Sequence, residues 1–401
     1  MHHRLTSIAF AFASALLLSA CGEADEEISE AASEPCPSEM TASCLVDQRV
    51  CVTSSSAEPR CESCPEGSYA TENACEPIGA ESLSHDFAEF SVKAGEEVLG
   101  LCQSWTLGNA TELWINGVEL VQDVVSHHSN WTFVPDTQFA GPDGVWLCKE
   151  RSYSQLTAAL SGGVLYAQST QATKEVQKFP DGAAVRIPPY ARVIGDVHLL
   201  NTTAEEITGH VRLNLYGLPL DDVKVKLAPF HLTFETLDIQ PLSTTRVTGE
   251  CGLEENFQSL TGGPLAMTLY YALPHTHALG TRMFFEVMGG PNDGQSLLDV
   301  KGFNGEARGK SYDPFVVLDG ATGFRFGCEF ENPRDESVHW GFDDQEMCEM
   351  LGFAETALVF EGSVKELEAP TMDGAVYDVK GKGCDMLAVP WSHDKPGGNG
   401  P

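Results

Sequence analysis

From about Ser82 to Trp391 the chain alternates apolar and polar residues in short runs, with no sustained 3.6-residue period of a long amphipathic helix. Val211-Arg-Leu-Asn-Leu-Tyr216, Val223-Lys-Val-Lys-Leu227 and Met283-Phe-Phe-Glu-Val287 are examples. A period of two sends successive side chains to opposite faces, so each run predicts a strand with one buried face. Turn formers separate the runs: Asn116-Gly117, Pro142-Asp-Gly144, Pro180-Asp-Gly182 and Asn292-Asp-Gly294. Short strands so spaced predict an all-β sandwich or barrel architecture. The region is about 310 residues long, more than one ordinary sandwich holds, so it is expected to divide in two. The stretch Leu218–His231 is the expected boundary, giving domains over 82–228 and 229–392.

The amino terminus breaks this pattern. Residues 1–20 carry Arg4 and then an apolar run from about Ile8 to Leu18, too short to span a bilayer and suited to a signal peptide. Leu18-Ser-Ala-Cys21-Gly22 resembles the bacterial lipobox, in which the cysteine is acylated and becomes the new N-terminus. That resemblance implies an extracytoplasmic, membrane-anchored bacterial lipoprotein, in the periplasm or on the cell surface, that meets the membrane through its anchor alone. Ordinary secretory cleavage near Ala20 is the alternative. Residues 21–35 are acidic and small and read as a disordered tether; residues 393–401 read as a frayed tail.

Residues 36–78 form a third kind of segment. Cys36, Cys44, Cys51, Cys61, Cys64 and Cys75 lie among few large apolar residues, so this module needs disulfides in place of a core. Six cysteines allow fifteen pairings, and the sequence does not choose among them. Cys61-Glu-Ser-Cys64 has neither the second pair of a zinc site nor the βαβ context of a redox site. The run Cys64–Tyr69 looks like extracellular growth-factor-repeat modules, and a structural spacer is the expected role.

Composition narrows the function. The 401 residues carry 24 Lys+Arg against 58 Asp+Glu, a net charge of −34, which argues against nucleic acid and against anionic lipid headgroups as partners. Thirteen cysteines point to an oxidising compartment, and the odd one falls to the anchor at Cys21.

Candidate chemistry lies in the histidines. His275-Thr-His277 follows the apolar run Leu269–Pro274, and a period of two would put both imidazoles on one face, a disposition that suits a transition metal. His127 and His128 are adjacent and would diverge on a regular strand, so both reach one ion only at a bend or an edge. Read in order, His127-His128, His198 in Asp196-Val-His198, His275-Thr-His277 and Glu346-Met-Cys348 resemble the copper type II, ascorbate-dependent monooxygenases. That family includes the peptidylglycine α-hydroxylating and dopamine β-monooxygenases. Phe179-Pro-Asp-Gly182, leading to Gly195-Asp-Val-His198, is similar to the family's approach to its third histidine. The resemblance covers 82–391 and leaves 36–78 unmatched.

It implies two tandem jelly-roll-like antiparallel β-sandwich domains and two coppers per chain. His127, His128 and His198 would hold one copper, which relays an electron. His275, His277 and Met347 would hold the other, which activates O2 to hydroxylate a C–H bond of a small organic substrate. The two coppers would stand far apart across solvent, with an ascorbate-like or other external molecule as electron donor. It also implies a Cys102–Cys148 bridge around the histidine pair and a Cys328–Cys348 bridge beside Met347, leaving Cys251 with Cys384. Where the peptide-hydroxylating members hold a carboxylate with Arg, Asn and Tyr, this chain has Leu273, Glu349 and Leu351, so peptide amidation is not expected. Glu349 and the negative field would suit an amine or other cation, the alternative being that the acidic surface is simply a solvated one. The rival reading is a non-catalytic copper-binding or adhesive surface lipoprotein on the same fold.

Overall fold

The computed structural model describes residues 36–46, 48–54, 57–168, 172–301, 308–341 and 345–391. The signal peptide, Cys21, the acidic tether and the tail after Trp391 lie outside them. The described residues are mostly strand, with three short α-helices, and no helix among them is long and apolar enough to cross a membrane.

The Cys-rich module has a helix, α1 (Ser38–Val46), and small antiparallel hairpins. Its bridges are Cys36–Cys51, Cys44–Cys61 and Cys64–Cys75, so the two cysteines of the Cys61–Cys64 pair serve different disulfides. The module is docked on the first sandwich, which corrects the spacer reading. Glu119, fully buried, accepts from Gly67 N (2.9 Å), Asn214 and Tyr216. Lys174 donates to the carbonyls of Cys64, Pro65 and Ser68 at 2.6–2.9 Å. Gln48 pairs with both backbone groups of Val176 as an added strand residue would. Asn116-Gly117, expected as a turn, lies inside the strand Leu113–Gln122. Tertiary packing overrides the turn propensity here: a Cβ on Gly117 would sit 2.5 Å from the Ile78 side chain. Glycine makes room for the module.

In the first sandwich, one sheet runs in the order Gly144–Leu147, β1 (Glu97–Thr106), β3 (Arg192–Leu200), β2 (Ser126–Val134) and Gly163–Ala167. The opposed sheet is centred on Leu113–Gln122. The helix α2 (Gln155–Ser161), started by Ser154 accepting from Thr157 N, covers one end of β2. The chain leaves this sandwich with Val225–Lys226 and enters the second with β4 (Ala228–Phe234). There one sheet contains β5 (Met267–His275), β6 (Glu349–Thr356), β4 and β7 (Leu358–Val364) as neighbours in that order. The opposed sheet is built around Gly323–Asn332. Among the described residues the strand pairs are antiparallel except at three places, Ala183–Ile187 with Val225–Lys226, β4 with β7, and Ser243–Gly252 with Val376–Lys380.

Each sandwich has its own apolar core, and the first core continues into the second domain through Tyr270, Tyr271, Leu273 and Phe353. Phe179 meets Tyr271 and Phe353 edge-on, with ring centroids 5.8 and 5.0 Å away. This apolar seam sets the end of β5 against the sheet that bears β2 and β3.

Removing the Glu119 carboxylate takes the acceptor from Gly67 N, Asn214 and Tyr216 and the ion-pair partner, 3.4 Å away, from Lys174, a loss of about 3 kcal/mol. Glu119→Ala is expected to lower the denaturation midpoint and to expose 36–78 to protease while 82–391 stays resistant. Unchanged protection of the module would contradict the docking.

Candidate metal centre

His127, His128 and His198 converge because both flanks of β3 are irregular. Across β2, Ser126 faces Leu199 and His128 faces His198, which leaves His127 with no cross-strand residue. Across β1, Val98 faces Leu199 and Leu101 faces Val197, so Leu99 and Gly100 bulge, with Gly100 at φ +64°. An extra residue turns the local strand, and two neighbours that would otherwise diverge come together. The Nδ1 atoms of His127 and His128 are 2.8 Å apart. At that distance at most one proton lies between them, a geometry that a shared cation also satisfies. His198 presents its ring 4.7 and 4.8 Å from the other two and bonds through Nε2 to the Glu97 carboxylate at 2.6 Å. That bond leaves Nδ1 as the metal-facing nitrogen of His198.

The second group is held by side chains from a different strand. β5 ends at His275, so His277 is not fixed by strand alternation as its spacing suggested. Instead the buried Glu346 carboxylate accepts from His277 N (2.8 Å) and Leu279 N (2.7 Å). The His277 Nδ1–H donates to Gln345 O at 2.8 Å, which fixes the tautomer with its lone pair on Nε2. Burial raises the Glu346 pKa to about 7, against the lowering by the amides it accepts from. The carboxylate thus ties the turn bearing His277 to the segment bearing Met347. Met347 is 5% exposed, and the Cys328–Cys348 bridge anchors it. The other expected bridges, Cys102–Cys148 and Cys251–Cys384, are also formed.

The seam brings the two groups together. His128 lies 5.5 Å from His275 and 5.8 Å from His277, ring centre to ring centre, and His275 lies 5.2 Å from His277. The potential ligand atoms of His127, His128 and His198 lie within 4.8 Å of one another, and so do those of His128, His275 and His277. The expectation of two sites far apart across solvent is therefore corrected: in this conformation the five imidazoles form one cluster. Burial, then mutual repulsion, lowers the pKa of His127 to about 4 and of His275 to about 3, and that of His128 falls well below its usual value. At neutral pH they are uncharged and carry lone pairs, as metal ligands must. Met347 lines the same cavity, about 550 Å³, as His128, His198 and His275.

No protein-family model and no curated protein matches the chain. Among solved structures it is similar to the major capsid protein P2 of bacteriophage PM2, at 9% identity and a TM-score of 0.28, over 67% of this chain and 98% of that one. The cowpea mosaic virus top component matches at 10% identity and a TM-score of 0.29, over 68% and 89%. PNGF-II matches at 7% and 0.26, over 67% and 65%. Such scores carry no argument about function.

Some residues that shape the site left little mark in the sequence. Glu97 sits 101 positions from His198. His231 is 3.4 Å from Glu349, an ion-pair distance. Burial opposes charge on both groups, yet their attraction prevails: the Glu349 pKa falls to about 2 and that of His231 rises. His85, His210 and His339 do not join the cluster: His85 stacks on Trp105, His210 bonds to Asp123, and His339 is largely exposed. Asp343 and Asp344, which read as a polar turn rather than a calcium loop, lie outside the described residues.

Glu97→Ala is expected to weaken copper at the His127/His128/His198 group about 10- to 100-fold, the usual effect of losing a carboxylate behind a ligating imidazole. Copper(I) competition against a chelator, resolving the tighter and weaker ions, measures it. Equal weakening of both ions, or of neither, would contradict the assignment.

Proposed function

We propose that the chain is a two-copper monooxygenase that hydroxylates a C–H bond of a small organic molecule, using O2 and an external, ascorbate-like reductant, and that a lipid on Cys21 holds it outside the cytoplasm. The observation that carries this reading is the convergence of five imidazoles from both sandwiches in one cluster, three of which line a cavity of small-molecule size together with the Met347 thioether.

The donor set fits copper. Three imidazoles, His127, His128 and His198, tolerate both oxidation states of one ion, and the Met347 thioether beside His275 and His277 favours Cu(I) at the other. Copper held there supplies the one-electron and O2 chemistry of R–H + O2 + 2 e⁻ + 2 H⁺ → R–OH + H2O. The protein's part is to hold and orient. Glu97 and the Gln345 carbonyl fix tautomers, Glu346 fixes the turn, and the Cys328–Cys348 bridge fixes the sulfur. The buried walls around His275 and Met347 keep bulk water from the reacting groups. Leu273, Glu349 and Leu351 give no cation for a peptide carboxylate, which supports a substrate other than a peptide C-terminus. Six disulfides among the described residues fit an oxidising compartment.

In the copper-loaded protein, ascorbate-driven O2 uptake and a product 16 mass units heavier than its substrate are expected. In Met347→Ile, which keeps the volume and removes the sulfur, both are expected to fall to background. Undiminished uptake in that variant would refute the role given to Met347. Bound copper without uptake in the native chain would favour the non-catalytic copper-binding reading.

A further inference from the structure

Two cavities meet beside the metal centre, and their walls differ in kind. The larger, about 550 Å³, is bounded by His128, His198, His275 and Met347. It adjoins a narrower slot between α2 of the first sandwich and β4, β6 and β7 of the second, and the two share Leu156, Ala159, Leu351, His231 and Glu361. The slot is lined chiefly by aliphatic and aromatic side chains, among them Leu160, Phe230, Phe353 and Leu387. Its volume, about 60 Å³, is room for four to six water-sized spheres at roughly 10–15 Å³ each, the scale of a short alkyl chain. The rims are apolar too. Leu99, Leu156 and Trp340 on the chamber and Leu387 on the slot belong to the few large apolar side chains the protein leaves exposed, at 36–45%.

At the junction the charge is negative. Glu349 faces His231 at 3.4 Å, and Glu361 lies directly across from His231 in the β4–β7 ladder. Two acids thus lie against one base at the mouth of the slot. The other acids near the centre are already engaged: Glu97 holds His198, Glu346 holds the turn of His277, and Asp196 accepts from Gln155 at 2.9 Å. Among the described residues no lysine or arginine lines either cavity. Apart from the copper itself, an anionic substrate would meet no countercharge from the protein. A cation meets Glu349 and Glu361, and Trp340 lines the same chamber.

We propose that the substrate is a short-chain cationic amphiphile, an alkylammonium compound, with its positive end at Glu349 and Glu361 and its chain in the slot. The inference rests on the monooxygenase reading for its chemistry, but the binding it describes is measured without turnover.

The test is calorimetric titration of the copper-loaded full chain with n-hexyltrimethylammonium, a cation with no lone pair to offer a metal. Tetramethylammonium and hexanoate serve as comparisons, and bound copper is counted in every sample. Hexyltrimethylammonium is expected to bind about tenfold or more tighter than tetramethylammonium, through the burial of its chain. It is expected to exceed hexanoate by at least as much, through the sign of its charge. Glu361→Gln is expected to weaken it about fivefold with copper content unchanged. Ala159→Phe, which narrows the slot, is expected to abolish the preference for the longer chain. Hexanoate binding as tightly as the cation, or no effect of chain length, would overturn the inference. The ranking on the unaltered protein decides this even where a variant fails to fold. Two coppers with the wrong ranking would sink the substrate class alone, whereas the expected ranking without copper would sink the monooxygenase reading and leave the cation site standing.

Discussion

The contact of Phe179 with Tyr271 and Phe353 is the constraint on which the rest of the structure depends. Histidines do not draw two domains together: burying uncharged imidazoles costs solvation, and bringing five of them within reach adds repulsion to any protonated form. The apolar seam supplies the opposing force, at roughly 1.5–3 kcal/mol for each large side chain taken out of water. By continuing the first core into Tyr270, Tyr271 and Leu273, it carries the end of β5, and with it His275, to the edge of the sheet that bears His128. The site is thus assembled by packing elsewhere, and its own groups are free to be chosen for chemistry.

Within that frame the polar groups do three separate things. A bulge on each flank of β3 brings adjacent histidines to one point. Glu97 and the Gln345 carbonyl decide which ring nitrogen carries the proton. Glu346 and the Cys328–Cys348 bridge bind the His277 turn to the segment of Met347, so that ligands 70 residues apart move as one piece. Glu349 and Glu361 line the cavity beside His231, and Glu349 also lies across from His275 in the β5–β6 ladder.

Much of this was legible in the chain. Alternation with a period of two identified strands such as Val211–Gly217 and Gly280–Met288, whereas the run Val223–Leu227 forms only the short strand Val225–Lys226. The order and types of His127, His128, His198, His275, His277 and Met347 marked the candidate ligands, and the three bridges expected in the large region are formed. What was not legible has physical causes. Asn116-Gly117 has the residues of a tight turn, yet the space occupied by Ile78 decides its conformation. The same contact explains why the module at 36–78 is docked rather than free, since the Glu119 and Lys174 networks join residues far apart in sequence. The spacing of His275 and His277 suggested a strand face, but the strand ends at His275 and a carboxylate does the positioning. The distance between the two groups of ligands is a property of the seam, which no local pattern encodes.

The central claim is that two three-ligand sites coexist in one cluster, and counting bound copper tests it most directly. After loading and removal of free metal, the account predicts about two coppers per native chain and about one when His275 and His277 are both replaced by Ala. A single copper per native chain that survives the double replacement, or no stoichiometric copper at all, would contradict it.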